Sequence, residues 1–259
     1  MRLRFLGTGT SFGIPVIGCE CEACTSNDPR DRRMRHGALL QNDEGTRNVL
    51  IDTPPELRLQ LLAARIRHID AVWYTHGHAD HTHGIDDLRV FSRPGAPPLP
   101  TFADAANAEF MRHKFAYVFD EDYQPIGGPK VNLDLQVFAD NEPIAVAGFT
   151  MLPLALPHGD VMSYGFRCGD LGYITDAKTL TAQAQAALGG VKVLVLNALW
   201  FGKSHATHFT VEEAVRAAEQ LGAEQTYLTH LTHRVTHEQL LRELPPHVRP
   251  AYDGLVVEV

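Results

Sequence analysis

Cysteine is scarce in this sequence and falls unevenly: of 4 Cys in 259 residues, Cys19, Cys21 and Cys24 sit within six residues and Cys168 stands alone. So few thiols exclude a disulfide framework, and a thiol cluster in a chain without a secretion signal points to metal instead. Long apolar runs are missing too. None approaches the roughly 20 residues that span a bilayer, and Met1-Arg2-Leu3-Arg4 has no apolar core behind its charges. The expectation is a cytoplasmic protein with no membrane contact. Basic charge is also short: 23 Lys+Arg against 31 Asp+Glu leave a formal charge of −8, which argues against a nucleic-acid partner gripped through clustered cations. Repeats, low-complexity tracts and charge-rich linkers are lacking, so 1–259 reads as a single domain. With 44% hydrophobic residues, a chain of this size can bury roughly three quarters of its unfolded surface.

Histidine, by contrast, is plentiful. There are 14, and His76, His78, His81 and His83 fall within eight residues. Short apolar runs read as strands at Leu3–Leu6, Ala38–Gln41, Val49–Ile51, Ala71–Tyr74, Phe149–Leu152, Ser163–Arg167, Leu171–Ile174, Val193–Leu196 and Thr226–Leu228. Thr210-Val211-Glu212-Glu213 has the form of a capping box. Val211, Ala214, Val215, Ala218 and Leu221 then make one apolar face before Gly222 stops the helix. Arg93–Pro100 and Gly127–Pro129 read as loops. Periodicity alone gives an α/β or α+β domain, and two similar halves, each a sheet with helices, account for the order of elements.

The histidine cluster follows the strand Ala71–Tyr74, where open α/β sheets carry functional loops. Thr75-His76-Gly77-His78-Ala79-Asp80-His81 puts three imidazoles and a carboxylate in one loop, a group that packing does not explain, because such side chains are rarely buried unpaired. In an extended stretch His76 and His78 face the same way and can share one ion. If the chain then turns, Asp80 and His81 can serve a second. Imidazole with carboxylate suits Zn, Mn or Fe, and ions about 3.5–4 Å apart are a common device for hydrolysing phosphate esters. The missing ligands should close other apolar strands, and His158, Asp176 and His230 do so.

With these motifs in order, the sequence resembles the metallo-β-lactamase-fold hydrolases over nearly its whole length. The resemblance implies a four-layer αββα sandwich with a two-metal site at its edge. Carried over, His76, His78 and His158 would bind one divalent metal, Asp80, His81 and His230 the other, and Asp176 would bridge them. Asp52, in Leu50-Ile51-Asp52-Thr53, would orient a ligand from behind.

Cys19, Cys21 and Cys24 supply three of the four donors of a closed zinc site, and His233, three residues after His230, is the candidate fourth. This structural Zn would tie the loop Gly7–Arg35 to the C-terminal part of the site. Together with Gly7-Thr8-Gly9-Thr10, Leu228–His233 and Ala251–Leu255, the cluster looks like the phosphoribosyl cyclic phosphate phosphodiesterase (PhnP-type) branch, associated with phosphonate breakdown. That resemblance implies hydrolysis of a small anionic phosphodiester, phosphoribosyl 1,2-cyclic phosphate first of all, by a hydroxide bridging two catalytic metals, Mn or Zn. His208 would assist, with His205 as competitor, and the family-based expectation for assembly is a homodimer. RNA 3′-end processing and thioester hydrolysis use the same metal loop. The first is weakened by the −8 charge, and the second leaves the cysteine triplet unexplained; a metal-stabilised scaffold would leave the dinuclear ligand set unexplained. Arg30, Arg32, Arg33 and Arg35 read as a solvated charge run, His83 as an outer or solvent-facing side chain, Cys168 as a small core residue, and His36 as a residue with no assignable role.

Overall fold

The computed structural model describes residues 1–92, 95–120, 122–123 and 125–259. Among them fourteen strands follow one another: β1 (Arg2–Gly7), β2 (Gly37–Gln41), β3 (Asn48–Ile51), β4 (Ala71–Trp73), β5 (Leu99–Asp104), β6 (Leu133–Phe138), β7 (Ile144–Val146), β8 (Phe149–His158), β9 (Val161–Cys168), β10 (Leu171–Tyr173), β11 (Val193–Asn197), β12 (Gln225–Thr229), β13 (Val248–Pro250) and β14 (Val256–Glu258). They form two seven-stranded sheets, ordered β14-β1-β2-β3-β4-β5-β6 and β13-β12-β11-β10-β9-β8-β7. Both sheets follow one plan. From β14 to β3 the neighbours are antiparallel, and from β3 to β6 parallel. From β7 to β10 they are antiparallel, and from β10 to β13 parallel.

Successive strand residues point to opposite faces, which builds the layers. Leu40, Ile51 and Trp73 pack between the sheets against Phe166, Tyr173, Val193 and Val195. Their neighbours Leu39, Leu50 and Val72 turn outward onto Leu57, Leu61, Ala108 and Met111 of the helices Leu57–Ala63 and Ala105–Lys114. In the second sheet Leu194 and Leu196 meet Ala184, Leu188, Ala214 and Ala218 of the helices Ala182–Leu188 and Val211–Leu221. Three cores between four layers make an αββα sandwich. No helix of the described residues is long and apolar enough to cross a membrane.

The helix Val211–Leu221 has the expected ends: Thr210 and Glu213 complete a capping box, and Gly222 closes it at φ 68, a left-handed conformation suited to glycine. Two readings need correction. The strand at Phe149–Leu152 runs on to His158, because β9 pairs with it from Leu152 to His158. Pro153 and Pro157 are tolerated there, since β7 pairs only with Phe149–Met151 and the contact at Pro153 on that side uses its carbonyl, which accepts from Asn141 N–H at 2.9 Å, so no ladder N–H is missing. Of the loop Arg93–Pro100, Arg93 and Pro94 lie outside the described residues, and Leu99 and Pro100 already belong to β5. Pairing of β5 with β4 starts only at Thr101, so the missing N–H of Pro100 interrupts nothing on that side.

Candidate metal centre

The side chains of interest leave the strands at one edge of the sandwich. After β4 the chain stays extended through His78, which places His76 Nε2 3.0 Å from His78 Nδ1. It then turns into the short helix Ala79–Thr82, which carries Asp80 and His81. The turn needs Gly77: a Cβ there would lie 2.5 Å from the Phe110 ring. Lys114 Nζ donates to the Gly77 carbonyl at 3.1 Å, so the end of one helix clasps the loop. At the tip of the β8–β9 hairpin His158 engages the Thr207 carbonyl through Nδ1 at 3.1 Å, which turns Nε2 inward. Asp176 and His230 follow β10 and β12 with φ of 52 and 57, and Asp52 follows β3 with φ 62. Non-glycine residues in this region are uncommon and gather at functional sites.

Asp176 is the hub. Its Oδ2 lies 3.7 Å from His76 Nε2, 3.6 Å from His158 Nε2, 3.4 Å from His81 Nε2 and 3.3 Å from His208 Nε2. Its Oδ1 lies 3.3 Å from His230 Nε2. The donor atoms of His76, His78, His158 and Asp176 fall within 4.8 Å of one another, as do those of Asp80, His81 and His230. Asp52 stands behind: its Oδ2 meets His81 Nδ1 at 2.6 Å, while the backbone N–H and hydroxyl of Thr75 donate to its two oxygens at 2.8 Å each. That contact turns the Nδ1 edge of His81 to Asp52 and aims Nε2 at Asp80 and Asp176.

Burial pushes the imidazoles of His76, His78, His158 and His208 below their usual pKa, which favours the neutral, lone-pair-bearing form. Burial would raise the carboxyls of Asp80 and Asp176, but the neighbouring His81 and His230 outweigh it and hold both well below the ordinary range. At His81 burial is in turn outweighed by the carboxylates of Asp176, Asp52 and Asp80, which favour positive charge at this point. His81 Nε2 and both ring nitrogens of His230 are buried without a hydrogen-bond partner among the described residues. Such orphans are costly unless a ligand satisfies them. Converging neutral imidazoles, ionised carboxylates and unpartnered nitrogens fit divalent cations.

The second cluster also assembles. Cys19 Sγ and Cys21 Sγ lie 3.2 and 3.4 Å from His233 Nδ1, and with Cys24 the four donors fall within 4.8 Å of one another. Burial raises the Cys21 thiol, but the Cys24 backbone N–H, the neighbouring thiols and His233 outweigh it and bring it to about 7, so thiolate is available near neutral pH. His230 and His233 therefore serve different clusters. The solvated-run reading of the arginines is corrected at Arg33, which is 1% exposed. It pairs with Asp31 at 3.0 Å and donates to the Thr232 and Val235 carbonyls at 2.9 and 3.0 Å, acceptors that compensate its burial and bind the cysteine loop to the His233 segment. Arg30 remains paired with Asp28, and Arg35 with Glu56.

Of the two competing histidines, His208 faces Asp176, whereas His205 turns its ring edge-on to Trp200 with centroids 5.5 Å apart. His83 is exposed and Cys168 is buried between the sheets. Sequence reasoning missed Thr75, Thr207, Phe110 and Lys114, and left His36 without a role. His36 is fully buried, meets the Tyr173 hydroxyl at 2.5 Å, and packs its ring 5.6 Å from His81 and 6.1 Å from His230. Its place at the start of β2, far from any motif, offered no signal.

The fold and the His/Asp cluster define a metallo-hydrolase, and the chain belongs to the β-lactamase superfamily, whose domain model matches residues 47–231. Among its relatives, the octanoyltransferase of Porphyromonas gingivalis is 38% identical over 256 residues, 98% of this chain and 51% of that protein. The chain thus spans about half the length of that relative. A solved structure described as a new diphosphatase from the PhnP family is 38% identical with a TM-score of 0.90, covering 100% of this chain and 97% of that one. Zinc-bound PqqB from Methylobacterium extorquens, 18% identical with a TM-score of 0.81 and 100% coverage of both chains, shares the fold.

Proposed function

We propose that the chain is a dinuclear metal-dependent phosphodiesterase acting on a small cyclic phosphodiester, phosphoribosyl 1,2-cyclic phosphate first of all. The observation that carries this reading is Asp176, a buried carboxylate with His76 and His158 on one side, His81 and His230 on the other, and His208 at 3.3 Å. His76, His78 and His158 would hold one divalent ion and Asp80, His81 and His230 a second, with Asp176 available to both; Cys19, Cys21, Cys24 and His233 would hold a structural zinc. When bound, Mn or Zn ions at the catalytic pair lower the pKa of water and neutralise phosphate oxygens. Asp52 keeps the His81 ring oriented. As water adds to phosphorus and the P–O bond to the sugar breaks, the ring N–H of neutral His208 donates a hydrogen bond to the leaving oxygen and stabilises its developing charge while that oxygen takes up a proton from water, an effect worth about 10²–10³ in rate.

A second reading, cleavage of a diphosphate, is favoured by the relative described as a diphosphatase. It differs only in the leaving group. Acyl transfer is not supported by the likeness to the octanoyltransferase, because this chain spans only 51% of that protein. The test is a substrate panel run with Mn and with Zn: phosphoribosyl 1,2-cyclic phosphate, 2′,3′-cyclic nucleotides, a chromogenic diester, a nucleoside diphosphate, precursor tRNA and a glutathione thioester. Turnover of the cyclic sugar phosphate is expected. Cleavage of the diphosphate alone selects the second reading, and turnover only of tRNA or the thioester overturns both.

A further inference from the structure

A cavity of about 240 Å³ is lined by Trp200, Phe201, Lys203, Arg234, Val235 and Gln239. Its walls are fixed. The Trp200 indole N–H donates to the Lys203 carbonyl at 2.8 Å, and the Gly202 N–H donates to Glu212 at 2.9 Å, which closes the turn between them. The opposite wall is tied on by Thr232, whose hydroxyl donates to the Leu199 carbonyl at 2.8 Å.

Two cations face this cavity. The Arg234 guanidinium carbon lies 4.3 Å above the Trp200 ring. Stacking fixes a guanidinium while leaving its in-plane N–H donors free, the geometry that recognises a carboxylate or phosphate with paired hydrogen bonds. Neither Arg234 nor Lys203 joins an ion pair among the described residues. In a chain of net charge −8, this cavity has two cations and no carboxylate among its lining residues. One side chain separates the cavity from the His/Asp cluster. Trp200 meets His205 at 5.5 Å between centroids, and His205 meets His208 at 5.3 Å, so His205 stands between it and the Asp176 hub.

We infer that Trp200, Lys203 and Arg234 form a second anion subsite, which holds a phosphate group of the substrate remote from the bond that is cleaved. Arg234 supplies the bidentate contact, Lys203 adds charge, and Trp200 fixes the guanidinium. His205, which does not face Asp176, stands between the two anion positions. The inference rests on the phosphoester reading in one respect, that the substrate carries two anionic groups.

Two measurements on the metal-loaded protein test it. The first is equilibrium binding of ribose 5-phosphate. Arg234→Gln should weaken it about tenfold or more, the scale of a lost charge-assisted contact, and Lys203→Ala, remote in sequence from the cysteine cluster, should weaken it less. The second compares kcat/KM for phosphoribosyl 1,2-cyclic phosphate with that for a singly charged chromogenic diester. Arg234→Gln should lower that ratio about tenfold, with zinc content equal to that of the parent. Unchanged affinity in both variants, or an unchanged ratio in well-folded Arg234→Gln, overturns the subsite. A protein that cleaves no phosphoester overturns the proposed activity instead, while the binding measurement still decides the subsite.

Discussion

The His/Asp centre and the Cys19/Cys21/Cys24/His233 cluster draw on the same short segment, Leu228–His233, yet are built on different terms. The cysteine cluster brings together four donors from four residues, the number a closed tetrahedral site consumes, leaving no position for a reactant. The His/Asp centre has more donors than one ion needs, a carboxylate shared by several imidazoles, and His208 against the same carboxylate. It is also backed by Asp52 and Thr75, whereas the cysteine cluster is backed by the chain it fastens, through Arg33 to Thr232 and Val235. Surplus donors with an oriented backing suit chemistry. A matched donor set at the junction of two distant segments suits holding the fold together.

Substitutions should separate the two. Asp176→Ala is expected to have the largest effect: phosphoester turnover falls by about a thousandfold or more, the scale of several kcal/mol of lost charge stabilisation. Elemental analysis should show the catalytic ions lost and the zinc of the cysteine cluster retained. His208→Ala should lower kcat by about 10²–10³ with metal content unchanged; a parallel loss of metal would make His208 a ligand instead. Asp52→Asn removes the carboxylate that orients the His81 ring, and metal affinity at the catalytic pair should fall about 10–100-fold, as read by competition with a chelator. Cys21→Ser reverses the pattern, lowering Tm and releasing one zinc while the protein that remains folded keeps most of its kcat. Loss of activity without unfolding would break the comparison.

The smallest effect is one of pH, on the cysteine side. Burial, with Arg30 and Arg33 nearby, pushes His237 down to about 4 from an ordinary value near 6.5. The unfolded chain therefore takes the proton first. Its contribution to stability is complete above about pH 6.5 and is lost as pH falls towards 4. Melting curves across that window should decline more steeply for the parent than for His237→Asn.

Much of both clusters could be read from the sequence because their donors sit where local rules put them. His76, His78, Asp80 and His81 share one loop, and His158, Asp176 and His230 each close an apolar strand. His233 follows His230 at a spacing that lets one ring turn away. What could not be read depends on contacts between distant segments. The helix Ala105–Lys114 begins at an ordinary Asp104 cap, and nothing local says that Phe110 and Lys114 will lie on Gly77. Arg33 differs from its neighbours only in that Asp31 and two distant carbonyls await it, so a charge run read by composition misplaces it. β14 joins β1 from the far end of the chain, a pairing that no pattern within either segment records.

The backbone of Asp52, Asp176 and His230, at φ of 62, 52 and 57, carries one more consequence. A side chain in this conformation costs on the order of 1 kcal/mol, and glycine would relieve it. The glycine variants at these three positions should therefore melt higher than the corresponding alanine variants. If these residues serve the reaction proposed above, the chain keeps a strained backbone where the chemistry needs a carboxylate or an imidazole, and gives up stability there.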